Sequence, residues 1–63
     1  MTVREVTQRL LREDWTSRPG KGHTIYRKPG YKIVVVPNHR GDIPIGTLKH
    51  ICRFAGWEFP PQS

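Results

Sequence analysis

The run Gly20-Lys21-Gly22-His23 sets an imidazole behind a pliable, cationic corner of the chain. Between Asp14 and Asp42 every charged residue is a cation: Arg18, Lys21, Arg27, Lys28, Lys32 and Arg40. A histidine in such surroundings suits work on a phosphodiester. Imidazole can take or give a proton near neutral pH, and fixed cations stabilise the charge that builds on phosphoryl oxygens. The same stretch suits a metal poorly. One cysteine, Cys52, and three scattered histidines, His23, His39 and His50, give no paired ligand spacing of the C-x-x-C or H-x-x-x-H kind. No metal and no cofactor are expected.

These residues must be positioned by a very small body. Sixty-three residues make one domain at most, and a chain of that length buries only about 60% of its unfolded surface. Any site therefore lies on the surface of a single layer pair. The formal charge of +6, from 11 Lys and Arg against 5 Asp and Glu, favours nucleic acid, an anionic membrane or an acidic protein as partner. Membrane is the weakest of these. The longest apolar run, Ile33-Val34-Val35-Val36, is far below the roughly 20 residues of a spanning helix, and no secretory signal opens the chain. A lone thiol fits a reducing compartment, so a cytoplasmic protein is expected, with Cys52 as a small buried apolar residue.

The chain reads helix, strand, strand, strand, helix. Val3, Val6, Leu10 and Leu11 form one stripe of an amphipathic helix. Thr2 and Glu5 have capping-box spacing, and the helix should end near Glu13 or Asp14. Residues 15–18 read as a short strand, residues 19–22 as a loop, and residues 23–28 as a second strand. Lys28-Pro29-Gly30-Tyr31 fits a type II turn. Residues 31–36 read as the strongest strand, with Tyr31, Ile33 and Val35 on one face and Lys32, Val34 and Val36 on the other; Pro37 stops it. Residues 38–42 are a polar loop. Pro44 suits a first helical turn, Leu48, Ile51, Cys52 and Ala55 form the next helical stripe, and Gly56 is a natural terminator. Trp57 and Phe59 should fold back onto the core, and Trp15 and Trp57 read as core anchors. Tyr26 and Tyr31 read as hairpin packing more than as base-stacking platforms. The expectation is an α+β sandwich of two layers, a three-stranded antiparallel sheet with two helices on one face. This is the outline of a double-stranded-RNA-binding domain. Residues 1–59 would form it, and residues 60–63 a tail with little reason to be ordered.

Four ordered features carry a family resemblance. The opening helix leads into Asp14-Trp15. Lys21-Gly22-His23 opens a strand. A basic hairpin ends in Ile33-Val34-Val35-Val36-Pro37, followed by His39 and Asp42. Finally Pro44-Ile45-Gly46-Thr47-Leu48 runs through Ile51 to Ala55-Gly56. The set resembles the HicA family, the mRNA-cleaving toxins of bacterial type II toxin–antitoxin pairs, and spans nearly the whole chain. It differs in one place: Lys21-Gly22 stands where the family usually has Gly-Ser before its histidine. The resemblance implies a dsRNA-binding-like fold, ribonuclease activity resting on one histidine, here His23, and a HicB-family antitoxin that covers the site.

Cleaving RNA without a metal needs a base for the ribose 2′-OH, cations around the transition state and a proton for the departing 5′-oxygen. His23 can be the base. Lys21, Arg27, Lys28 and Lys32 can supply the positive field, and Gly22, His39 and Arg40 complete the expected RNA contacts. The general acid is open among His39, a lysine and water. His39 and His50 read as structural or RNA-contacting residues. Two function classes compete: a metal-independent endoribonuclease, and a non-catalytic RNA-binding module or inactive toxin homologue on the same fold. Direct DNA binding is not expected, since no helix-turn-helix spacing is visible.

Overall fold

The computed structural model describes residues 1–61. Helix α1 spans Val3–Arg12, strands β1, β2 and β3 span Thr16–Pro19, His23–Arg27 and Val34–Pro37, and helix α2 spans Ile45–Ala55. The strands form one antiparallel sheet in the order β1-β2-β3, so β2 is central and β3 leaves one edge unpaired. The expected α-β-β-β-α architecture with an open three-stranded sheet is what the chain adopts. Of the expected tail, Gln62 and Ser63 lie outside the described residues.

Helix α1 begins with a complete capping box. The Glu5 N–H donates to Thr2 Oγ1 at 3.1 Å and the Thr2 N–H to Glu5 Oε1 at 2.8 Å, satisfying two orphan donors of the first turn. These hydrogen bonds hold the Glu5 carboxyl below its ordinary range. The helix buries Val6 and Leu10 fully and packs Val3 partly against them. Leu11, expected on that stripe, is half exposed at 51%. The next helical residue lies about 100° further round the axis, which carries Leu11 off the edge of the core. Asp14 at φ 68° then turns the chain, and the Trp15 N–H caps Leu10 O at 3.1 Å.

The strands are shifted from the sequence expectation. Strand β1 starts at Thr16, one residue late, and takes in Pro19; a proline without a donor is tolerated there because β1 is an edge. Strand β3 starts at Val34 instead of Tyr31, and Pro37 is its last residue. The turn itself forms as expected: Gly30 has φ 85° and the Tyr31 N–H donates to Lys28 O at 3.1 Å. However, Tyr31 then packs its ring on Trp15, with centroids 5.3 Å apart, and this diverts residues 31–33 from the ladder. Pairing resumes only at Tyr26 opposite Val34. The alternation holds: Val34 and Val36 are buried, while Tyr31, Ile33 and Val35 are exposed.

Helix α2 opens on Pro44, whose carbonyl accepts from the Leu48 N–H at 2.9 Å. It buries the expected stripe of Leu48, Ile51, Cys52 and Ala55. Gly56 at φ 76° ends the helix and lets the Trp57 N–H reach Cys52 O at 2.8 Å. Trp57 is thereby drawn into the core beside Trp15 and Tyr26. Phe59, expected to follow it, stays 41% exposed, outside the core cluster that Trp57 joins. Burial pushes the Cys52 thiol above its ordinary range, against smaller opposing effects of Arg9 and the N-terminus.

Candidate functional site

The loop between β1 and β2 is short and tightly bonded. The Gly20 N–H donates to His23 O at 2.8 Å, and the Asn38 N–H donates to Gly22 O at 3.1 Å. Thr24 Oγ1 adds a bond to Asn38 Oδ1 at 2.8 Å. Gly22 takes φ 77°, a left-handed conformation open to glycine at little cost. His23 is thus the first residue of the central strand, pinned on one side by its own loop and on the other by the segment after β3.

The His23 ring folds back over Gly20. A β-carbon at position 20 would stand 2.8 Å from Nε2 and 3.0 Å from Cδ2 of the imidazole. Only a glycine leaves the ring where it is. Sequence reading treated Gly20 as loop punctuation, and nothing in its spacing could have shown that an imidazole would lie across it.

His23 opens onto a groove of about 490 Å³ that follows the unpaired edge of β3 and the facing side of α2. Ile33, Val34, Val35 and Pro37 form one wall, and Thr47, His50, Ile51 and Phe54 the other. Its volume is within the ~300–1,000 Å³ of small-molecule sites. The polar side chains on its lining are two imidazoles and one hydroxyl, those of His23, His50 and Thr47; no carboxylate lines it among the described residues. His50 is exposed and meets the ring of Phe54 edge-on at 5.2 Å. Sequence reading took His50 as a structural or RNA-contacting residue, because helical spacing alone does not say which residues border the edge of the sheet.

The expected RNA-contacting residues separate into groups. Gly22 lines the groove with His23, and Lys21 is the exposed neighbour of both. Lys32 joins the rim, its Nζ 5.6 Å from the centre of the Phe54 ring. Arg27 ends the strand that His23 begins; four residues of extended chain set it about 13 Å away. Lys28 lies beyond that end, with its ammonium 5.2 Å from the Tyr31 ring and 5.9 Å from the Trp15 ring. His39 and Arg40 line a different depression, shared with Thr2, Val3, Arg4 and Gly41. The N-terminus fixes them there, because the Val3 N–H bonds to Gly41 O and the Ile43 N–H to Met1 O, each at 3.0 Å. His39 Nδ1 is 3.1 Å from Arg40 O. Tyr26 is buried in the core and so unavailable for stacking, while Tyr31 keeps about half its surface exposed.

Glu13, which does not line the groove, has a structural role. Glu13 accepts the Trp57 indole N–H at 2.8 Å through one oxygen and Arg9 at 3.0 Å through the other, while the Arg9 guanidinium lies 4.2 Å above the Trp57 ring. This clasp joins the end of α1 to the segment after α2.

No helix among the described residues is long and apolar enough to cross a membrane. No curated protein matches the chain. The family model for the HicA toxin of bacterial toxin-antitoxin matches residues 3–57, from the first residue of α1 to the tryptophan beyond α2. With its fold, its strand-opening histidine and a match over most of its length, this chain belongs to the HicA toxin family and is a toxin of a toxin–antitoxin system.

Proposed function

We propose that this toxin is a metal-independent endoribonuclease that cleaves mRNA in the cytoplasm, with His23 as general base. The observation that supports this most is the setting of His23: a clamped, half-buried imidazole at a groove whose lining holds no carboxylate among the described residues, with Lys32 at its rim and the exposed Lys21 two residues before the imidazole. In the reaction, His23 takes the proton of a ribose 2′-OH. The 2′-oxygen bonds to the adjacent phosphorus, the P–O5′ bond breaks, and the 5′-oxygen leaves with a proton. The products are a 2′,3′-cyclic phosphate and a 5′-hydroxyl end. Lys21 and Lys32 stabilise the charge on the non-bridging oxygens. Arg27 and Lys28, farther along the hairpin, hold flanking phosphates, as do His39 and Arg40 on their own surface.

The partner in this reading is a HicB-family antitoxin that covers the groove. The net charge of +6 favours an acidic inhibitor, and the exposed Ile33 and Val35 beside the free edge of β3 offer it apolar area. One observation favours the second reading, a toxin homologue that binds RNA without cutting it: Gly22 offers no hydroxyl next to His23. Mass analysis of RNA fragments after incubation decides between them. Cyclic-phosphate and 5′-hydroxyl ends formed by the wild type and absent with His23→Gln support the endoribonuclease. Retention of intact RNA by both proteins would leave only the binding module.

A further inference from the structure

We propose that His50 is the general acid of the cleavage reaction, the group that protonates the departing 5′-oxygen. The proposal deepens the reading above and rests on His23 being the base. Its ground is that His23, at the start of β2, and His50, on α2, line one groove although 27 positions separate them in the chain (50 minus 23).

The lining leaves little choice. In-line displacement puts the attacking 2′-oxygen and the departing 5′-oxygen on opposite sides of phosphorus, so a base and an acid must approach from two directions. Of the polar side chains on the groove wall, Thr47 carries an alcohol, too weak an acid to donate at neutral pH. With His23 taking the first proton, His50 is the remaining lining residue of a type used as a general acid. Lysine ammonium holds its proton too tightly to match it.

A second observation independent of the groove points the same way. His50 also borders a smaller depression lined by Gly46, Lys49 and Arg53. It therefore stands on the ridge between the His23 groove and a cationic shelf. RNA passing over that ridge would set its scissile phosphate between the imidazoles and its next phosphate on Lys49 and Arg53. The edge-on contact with Phe54 restrains the ring, and the nearby charged groups on each element facing it are Lys49 and Arg53 on α2 and Lys32 before β3.

In the balanced step, the imidazolium N–H of His50 passes its proton to the 5′-oxygen as the P–O5′ bond breaks. His50 ends neutral and His23 ends protonated, so a proton exchange with water resets both. The test uses the full chain and an RNA oligonucleotide whose main cut has been mapped. A second oligonucleotide replaces the 5′-oxygen at that bond with sulfur, which leaves as a thiolate and needs no proton. His50→Gln should cut the ordinary oligonucleotide about 100-fold more slowly than wild type, the lower end of what a general acid supplies. It should cut the sulfur-bridged one at close to the wild-type rate. His23→Gln should be slow on both.

Wild-type speed of His50→Gln on the ordinary oligonucleotide would overturn the assignment, and so would equal loss on both substrates. Rescue of His23→Gln by sulfur would reverse the two roles and overturn it as well. If the wild type cuts neither substrate, the nuclease reading itself falls and takes the assignment with it. That pattern is distinct from failure of His50 alone. His50 is exposed, so matched thermal melting of variant and wild type accompanies the rates.

Discussion

The imidazole of His23 lies against the α-carbon of Gly20, so close that a methyl group there would meet Nε2 at 2.8 Å. The contact couples the backbone of the β1–β2 loop to the ring that the proposed mechanism needs. It also assigns different duties to the two glycines of the loop. Gly20 makes room for the ring, whereas Gly22 supplies a left-handed turn with nothing within 4 Å of its would-be side chain.

Replacing Gly20 with alanine should therefore move the ring and spare the fold. A displacement of about 1 Å in a reacting group can cost about 100-fold in rate, so kcat should fall by that order while RNA affinity changes little. Gly22→Ala should show up instead as lost stability, about 1–2 kcal/mol for a forced left-handed residue. Steady-state kinetics and thermal melting of both variants check this. Unchanged kcat in Gly20→Ala would show that the ring position does not matter.

The clasp of Glu13 on Trp57 and Arg9 predicts a pH dependence of folding. Burial by itself would raise the Glu13 carboxyl, but the Trp57 and Arg9 hydrogen bonds and the charges of Arg9 and Lys28 outweigh it, and the group sits below its ordinary range. A carboxylate lowered in this way adds stability above its unfolded pKa and loses it as pH falls through the folded value. Wild-type melting temperature should drop as pH passes below the ordinary carboxylate range near ~4.3. Glu13→Gln, which keeps an acceptor for the indole but carries no charge, should lose that part of the slope. Glu13→Ala should cost about 1 kcal/mol at neutral pH. Parallel pH–melting curves for the wild type and Glu13→Gln would refute the linkage.

RNA binding should weaken steeply with salt, because each phosphate contact to a single strand contributes about −0.7 to the slope of log affinity against log salt. Lys32→Ala, at the groove rim, should flatten the slope by about one such contact and slow cleavage. Arg40→Ala, in the separate depression beside the N-terminus, should change the slope similarly but affect cleavage less. Fluorescence anisotropy across a salt series measures both. A flat response in the wild type would mean the basic surface is only solvated.

The architecture was legible because its signals are local. Thr2 and Glu5 cap α1, Leu48 to Ala55 repeat at helical spacing, and Pro29-Gly30 turns the hairpin, each within a few residues. The misplaced boundaries came from long-range packing: Tyr31 leaves the ladder to meet Trp15, and Leu11 misses the core by the angle of one residue. The site was legible only in part, for the same reason. His23 stood out by its neighbours in sequence. That its ring rests on Gly20, that His50 shares its groove, and that Met1 and Val3 hold His39 and Arg40 elsewhere depend on contacts that no local pattern encodes.

RNA cleavage in excess EDTA tests whether His23 acts as the base of a metal-independent ribonuclease. Wild-type protein and His23→Ala, shown to have matching melting temperatures, are compared on the same mapped oligonucleotide. The expected result is cleavage by the wild type that EDTA does not touch, and a loss in the variant of at least the ~100-fold expected of a missing general base. Cleavage that persists in His23→Ala, or that EDTA abolishes in the wild type, would contradict it.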